Sequence, residues 1–460
     1  MYQINFKQPI HIHFIGIGGI SMSGLAEILF DAGFHVSGSD ARESELTKQL
    51  AAKGIIISYP QSADNITDTM DAVVFTAAIH EDNPEYAAAK AANLPMLSRA
   101  ELLGQIMDNY KNSIAIAGTH GKTTTTSMVS EILLAADADP TISVGGILHT
   151  IGGNIRVGKS DVFITEACEY TNSFLNFRPK YSVILNIEAD HMDFFKDLDD
   201  IRSSFRKFAA NTANDGTIII NGDIEKYEEI TAGLSCSVIT FGLSARSDYY
   251  PADITFDNMG CAAFTVMHKG KALTSVKMSV PGLHNVSNAL SAIALGCEMQ
   301  IPFTDITKGL SSFHGTDRRF QLKGKLANGV TIIDDYAHHP TEITATLKAA
   351  RNYPHNRIVC VFQPHTYTRT KAFLSEFAQA LSLADIIVLA DIYAARETDT
   401  LGVSSKDIEA DLKKLGKEVW YFPSFSEIEN FLQKKCMHGD LLITMGAGDV
   451  VKIGESLLIH

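Results

Sequence analysis

Ile114-Ala-Ile-Ala-Gly118-Thr-His120-Gly121-Lys122-Thr123-Thr124-Thr125-Thr126 joins an apolar run, a turn with two glycines and four consecutive threonines. Residues 113–117 predict a short buried strand, and a helix opens at about Lys122. Between them, Gly118, Thr119, His120 and Gly121 form a turn that aims backbone N–H groups and a helix N-terminus at one spot. Such a cradle suits the phosphates of a nucleotide. Lys122 would reach the outer phosphates, and Thr123 or Thr124 would hold Mg²⁺. The spacing G-x-x-G-K-T is one turn tighter than the common phosphate loop, because Ile116 stands five residues before Gly121. A Gly-Lys pair at an ordinary helix start would account for the threonines as caps, but not for strand, glycines and threonines together. A nucleoside triphosphate is the expected ligand.

Two further segments flank this one. Upstream, residues 11–17 predict a buried strand, followed by the turn Gly16-Ile-Gly18-Gly19-Ile-Ser21, a helix over 21–32, and strands at 34–37 and 72–76. Strands alternating with helices at this spacing predict a parallel, Rossmann-like sheet within residues 1–110, closed by a polar linker at 108–112. The middle segment, 111–317, adds buried strands at 162–165 and 181–187, an antiparallel insertion over 235–280, and helices at 286–299 and 303–312. The last segment, 318–460, alternates strands at 331–333, 358–362, 386–389 and 441–444 with helical stretches, another α/β layer domain. The expected fold is therefore α/β in three domains. The central one is a P-loop-type ATPase with a mostly parallel sheet and a small antiparallel insertion.

Bulk properties agree. A chain of 460 residues exceeds one ordinary core. A formal charge of −14 argues against nucleic acid as the main partner, since backbone phosphates demand a basic face. No apolar stretch approaches bilayer length, so no membrane span is expected. The six cysteines are scattered without a C-x-x-C pair, and no secretory signal opens the chain, so reduced thiols and a cytoplasmic location are expected.

Several clusters carry candidate chemistry. Gly16, Gly18 and Gly19 are followed by Ser21 where a dinucleotide fingerprint has its third glycine, with Met22 and Ser23 opening the helix. Asp40 falls where a ribose-binding acid sits. The turn suits NAD, the diphosphate of a UDP-linked substrate, or a bare strand-to-helix crossover. An NAD-dependent oxidoreductase follows from it alone, yet such an enzyme needs no second phosphate loop. Glu166-Ala-Cys168-Glu169 and Glu188-Ala-Asp190-His191-Met-Asp193 each follow a buried strand, on the edge where Mg²⁺ would bridge nucleotide and substrate oxygens. His191 is an unusual magnesium ligand. Asn285 and Asn288 share a helix face and serve a base, a phosphate edge or a cap equally well. The His338-His339-Pro340 run lacks partners at zinc spacing. Arg369 offers a cation at a sheet edge, suited to a carboxylate or phosphate.

Taken in order, A-G-T-H-G-K-T-T-T-T (117–126), N-I-E-A-D-H-M-D (186–193), H-N-V-x-N (284–288), D-D-Y-A-H-H-P-T-E (334–342) and F-Q-P-H-T-Y-T-R-T (362–370) resemble the Mur ligases, as do residues 13–27 and 37–40. The resemblance implies a UDP-substrate domain, a central ATPase domain and a Rossmann-like C-terminal domain that closes over the site. It implies ATP and Mg²⁺ as cofactors, and ATP-driven joining of an amino acid to the lactyl carboxylate of UDP-N-acetylmuramate through an acyl phosphate. L-alanine is the amino acid in the branch these motifs resemble; a branch that adds a preformed tripeptide is the alternative. Carried over by position, Thr123 and Glu166 bind one Mg²⁺ and His191 touches a second, while Asn285, Asn288 and Asp335 bind the nucleotide and Arg319 its phosphates. His338 lies near the adenine, Gly18 to Ser23 hold the UDP diphosphate, and Arg369 binds the alanine carboxylate. Two departures stand out: Thr366 replaces a second arginine of some relatives, and the count from His191 to the carbamylated lysine of sister ligases lands near Phe205. A monomer or weak homodimer is expected.

Overall fold

The computed structural model describes residues 2–76, 78–395 and 397–459. Three sheets organise the chain. The first is parallel throughout, in the order Ile56–Ser58, His35–Ser39, His11–Ile15, Ala72–Phe75, Met96–Ser98. This is the doubly wound order with its switch point beside the first strand. That strand ends at Ile15, short of the expected Ile17, because Gly16 turns the chain with φ 82°.

The central sheet has ten strands. At its heart Asn112–Ala117 lies between Val162–Ala167 and Tyr181–Ile184, all parallel and buried. Helices cover both faces, so these strands read as continuous apolar runs rather than alternating ones. The expected strand over 181–187 stops at Ile184, since Asn186 turns inward to hold the phosphate loop. The insertion is antiparallel only from Tyr249 onward: Ser237–Phe241 runs parallel to its neighbour Thr217–Asn221, and Tyr249–Phe256, Cys261–His268 and Lys271–Pro281 form the meander. The third sheet runs Gln321–Lys325, Thr331–Asp335, Leu441–Met445, Ile358–Phe362, Ile386–Leu389, Glu418–Tyr421, with only its first strand antiparallel.

Close packing fixes the three layers to one another. A Cβ on Gly24, in the helix Ile20–Asp31, would stand 2.0 Å from Ile155 of the central sheet. On the other side, His339 Nε2 contacts the Ala189 carbonyl at 3.0 Å and the Thr341 hydroxyl donates to Glu188 at 2.6 Å. The carboxyl ends of the strands leading to Gly118, Cys168, Asn186 and Tyr336 thus meet in one cleft. All six cysteines are free thiols. No described helix is long and apolar enough to cross a membrane.

Candidate active site

The phosphate loop is held open by its neighbours. Gly118 has φ 151° and Gly121 φ 84°, and a Cβ on Gly121 would lie 2.8 Å from Asn288 Oδ1. Asn288 donates to Asn285 Oδ1 at 3.1 Å, and Asn285 donates to the Pro281 carbonyl at 2.8 Å, so the asparagine pair backs the loop. From the other side, Asn186 accepts from His120 N–H at 2.8 Å and donates to the His120 carbonyl at 3.0 Å. Glycine is required at 121 because a side chain would meet both strain and Asn288.

Lys122, first residue of the helix Lys122–Ala135, bends back over the loop. Its Nζ donates to the Gly118 and Thr119 carbonyls and pairs with Glu169 Oε2 at 2.9 Å. Burial pulls the ammonium pKa down, but Glu169, Cys168 and Glu166 outweigh it and raise it above the usual range. The other Glu169 oxygen, Oε1, is buried without a hydrogen-bond donor among the described residues, and His191 Nε2 stands 3.8 Å from it. Burial depresses the His191 pKa more than Asp190 and Glu169 raise it, so the ring is neutral and able to ligate. Glu166 accepts from Gly145 N–H at 2.5 Å, and a Cβ on the next glycine, Gly146, would lie 3.2 Å from Thr123 Cγ2. Lys122, Thr123, Glu166 and His191 therefore border one space, with Glu169 at its centre.

Two cavities flank this space. The larger, about 220 Å³, is walled by Gly121, Thr124, Asn285, Asn288, Arg319 and Asp335. Asp335 is already committed there, accepting from Phe320 N–H, Ala337 N–H and the Thr346 hydroxyl, and burial raises its pKa to about 6. His338 stands outside that wall; its ring lies 5.6 Å from His365 and its Nδ1 3.2 Å from Glu342. The smaller cavity, about 70 Å³, is bordered by Asp190, His191, Met192, Thr366, Arg369 and Phe373. Arg369 donates to Asp190 Oδ1 from Nε at 3.1 Å and Nη2 at 2.9 Å. Although burial opposes it, Arg369 leads the groups that hold the Asp190 carboxyl well below the usual range.

His120 is the electrostatic joint between the layers. It sits 3.5 Å from Glu188 and 3.3 Å from Glu342, which together overcome burial and raise its pKa to about 9. His120, Glu188 and His339 bring three donor atoms within 4.8 Å of one another. His339 has no lone pair to offer an ion there. Its Nδ1 accepts from Thr341 N–H, which leaves the proton on Nε2, facing the Ala189 carbonyl. The arrangement is an ion-paired junction rather than a zinc site.

At the N-terminal sheet, the turn Gly16 to Ser21 lies at the start of the helix Ile20–Asp31, whose N-cap Gly19 supplies no side-chain cap. Asp40 accepts from Gly18 N–H at 2.8 Å, while Met22 and Ser23 are buried behind the turn. Phe205, near which the count from His191 lands, is fully buried in the core. Residues that the sequence did not single out as site members are Glu169, Asp190, Asn186 and Glu342. Glu169 and Asp190 sit inside the acidic clusters already quoted; Glu342 reads as a helix-capping acid, a role it also fills.

Three family models match in succession: the Mur ligase family, catalytic domain, over residues 11–111; the Mur ligase middle domain over 116–296; and the Mur ligase, glutamate ligase domain over 318–448. A UDP-N-acetylmuramate–L-alanine ligase of Agathobacter rectalis is 68% identical, with 100% of each chain covered. The crystal structure of a UDP-N-acetylmuramate–alanine ligase from Thermotoga maritima superposes with a TM-score of 0.80 at 32% identity, covering 98% of both chains. A murein peptide ligase from Psychrobacter arcticus gives a TM-score of 0.71 at 26% identity, again over 98% of both.

Proposed function

The chain belongs to the Mur ligase family, and on that premise we propose that it joins L-alanine to UDP-N-acetylmuramate with cleavage of ATP to ADP and phosphate. The observation that carries this reading is the sharing of Glu169 by Lys122 and His191, between the cavity beside the phosphate loop and a small pocket bearing Arg369.

A carboxylate is a poor electrophile, so one of its oxygens first bonds to the γ-phosphorus while the bond to the ADP oxygen breaks. The alanine nitrogen then attacks the acyl carbon and loses a proton, and phosphate departs with the former carboxylate oxygen. Two anions must meet in the first step, and Lys122 supplies positive charge where they do. Thr123, Glu166 and His191 would hold Mg²⁺, which when bound offsets the remaining negative charge. The orphaned Glu169 Oε1 and the neutral His191 ring fit a cation there. Gly118 to Thr124 bind the triphosphate, Asn285, Asn288, Arg319 and Asp335 the nucleotide, and Gly16 to Ser23 with Asp40 the UDP moiety. Arg369, fixed by Asp190, receives the alanine carboxylate. His338, beside His365 and 3.2 Å from Glu342 of the larger cavity's wall, stands between the adenine side and the amino-acid side of the cleft.

The three sheets support a division into residues 1–110 for the sugar nucleotide, 111–317 for ATP and 318–460 for the amino acid. Cytosolic nucleotide substrates imply a cytoplasmic enzyme. A tripeptide acceptor is disfavoured by the 70 Å³ pocket and the alanine-adding relative at 68% identity. Phosphate release tests the proposal: it should require ATP, Mg²⁺, UDP-N-acetylmuramate and L-alanine together. Release without the sugar nucleotide, or stabilisation by NADH instead, would overturn it.

A further inference from the structure

Tyr170 follows Glu169 directly, where the strand Val162–Ala167 gives way to the short 3₁₀ turn Tyr170–Asn176. Thr171 and Asn172 take φ 52° and 58°, and Asn172 Oδ1 accepts from the Ser204 hydroxyl, which pins the turn to the helix Leu198–Ala210. The phenol ring is thereby laid against His191, with centroids 4.5 Å apart and planes 31° from parallel. Its hydroxyl donates to Asp193 Oδ2 at 2.8 Å, and Phe194 meets the ring in a T-shaped contact at 6.1 Å. His191 itself stands at φ 53°, and its carbonyl accepts from the Phe194 and Phe195 N–H groups, so its backbone is fixed in a left-handed turn. The imidazole is not fixed in the same way. Among the described residues neither ring nitrogen has a hydrogen-bond partner, and the Glu169 and Asp190 carboxylates stand 3.8 and 3.9 Å from Nε2.

We propose that the face of Tyr170 sets the angle of the His191 imidazole, so that Nε2 is aimed at the space beside Glu169 Oε1. Tyr170 is a positioning residue, acting through His191. The inference rests on the function proposed above, in which His191 serves the cation. A histidine that ligates a metal is ordinarily turned into place by a hydrogen bond at its second ring nitrogen. Here the stacked phenol, tied to Asp193 and flanked by Phe194, takes the place of that bond. Without it, the broad χ2 torsion of histidine would let the ring swing.

Electron spin echo spectroscopy of Mn²⁺, in the full chain with UDP-N-acetylmuramate and β,γ-methylene-ATP, reads the hyperfine coupling of a bound imidazole nitrogen without turnover. The coupling should be present in the unaltered protein and absent from His191→Ala. Tyr170→Ala should remove most of it and weaken Mn²⁺ about tenfold in the same complex. Tyr170→Phe keeps the ring face and gives up only the Asp193 bond, so it should retain both the coupling and the wild-type Mn²⁺ affinity. If the alanine variant does not fold, Tyr170→Leu, which has bulk but no flat face, decides the matter. An undiminished coupling in the folded alanine or leucine variant overturns the proposal, as does an equal loss in Tyr170→Phe. Absence of the coupling from the unaltered complex would instead overturn the assignment of His191 to the cation.

Discussion

Glu169→Gln removes the charge opposite Lys122 but keeps an acceptor in place. The pair is 2.9 Å apart and mostly enclosed, with side chains 16% and 3% exposed. Deleting one partner of a buried ion pair costs about 3–5 kcal/mol. Lys122 retains its bonds to the Gly118 and Thr119 carbonyls, so the lower end, about 3 kcal/mol, applies. In the transition of a unit of roughly 200 residues this lowers Tm by about 6–12 °C. Scanning calorimetry without ligand should show that drop in the central transition. MgATP should then restore more Tm in the variant than in the unaltered protein, because the triphosphate supplies the missing counter-charge. An unchanged ligand-free Tm would refute the claim that Glu169 holds the phosphate-loop lysine.

Asp190→Asn releases the two Arg369 bonds to Oδ1 and should raise the alanine KM about tenfold while the ATP KM moves less than about twofold. Arg369→Ala should act in the same sense, and equal effects on both substrates would remove its assigned role. Gly121→Ala combines φ 84° with a 2.8 Å approach to Asn288, so ATP affinity should fall by calorimetry, and wild-type affinity would show that the loop tolerates a side chain there. Because the folded His120 pKa of about 9 lies above the reference 6.5, its contribution to the junction with Glu342 is complete below pH 6.5 and is lost as pH rises through about 9. The groups facing it are Glu188, Glu342 and His339. Hydrogen exchange in the helix Pro340–Ala350, corrected for intrinsic rates, should therefore accelerate as pH rises from 6.5 to about 9, and an identical profile in His120→Asn would contradict this.

What could be read from the chain was local chemistry. The strand–glycine–helix joints at Gly16 and Gly118 are short-range patterns, and each apolar run between them became a buried strand because helices cover both sheet faces. Strand ends were less legible: Ile17 and residues 185–187 look apolar enough to continue, but Gly16 and Asn186 turn the chain for reasons set by the other side of the cleft. The short strands Ile56–Ser58 and Met96–Ser98 carry too few residues for a pattern. The site's couplings were illegible for a different reason. His120 meets Glu342, Arg369 meets Asp190, and Tyr170 meets His191 across sequence gaps that no periodicity spans. Glu342 was hidden further by its capping role, which explains it locally and leaves no residue of meaning to pursue.

The most direct measurement follows an oxygen atom. UDP-N-acetylmuramate labelled with ¹⁸O in both lactyl carboxylate oxygens is turned over with MgATP and L-alanine, and the released phosphate is analysed by mass spectrometry. Transfer of one ¹⁸O to each phosphate is expected, since the carboxylate oxygen bonded to phosphorus leaves with it. Phosphate free of ¹⁸O, alongside normal amide formation, would contradict phosphorylation of the carboxylate at the Lys122–Glu169–His191 edge.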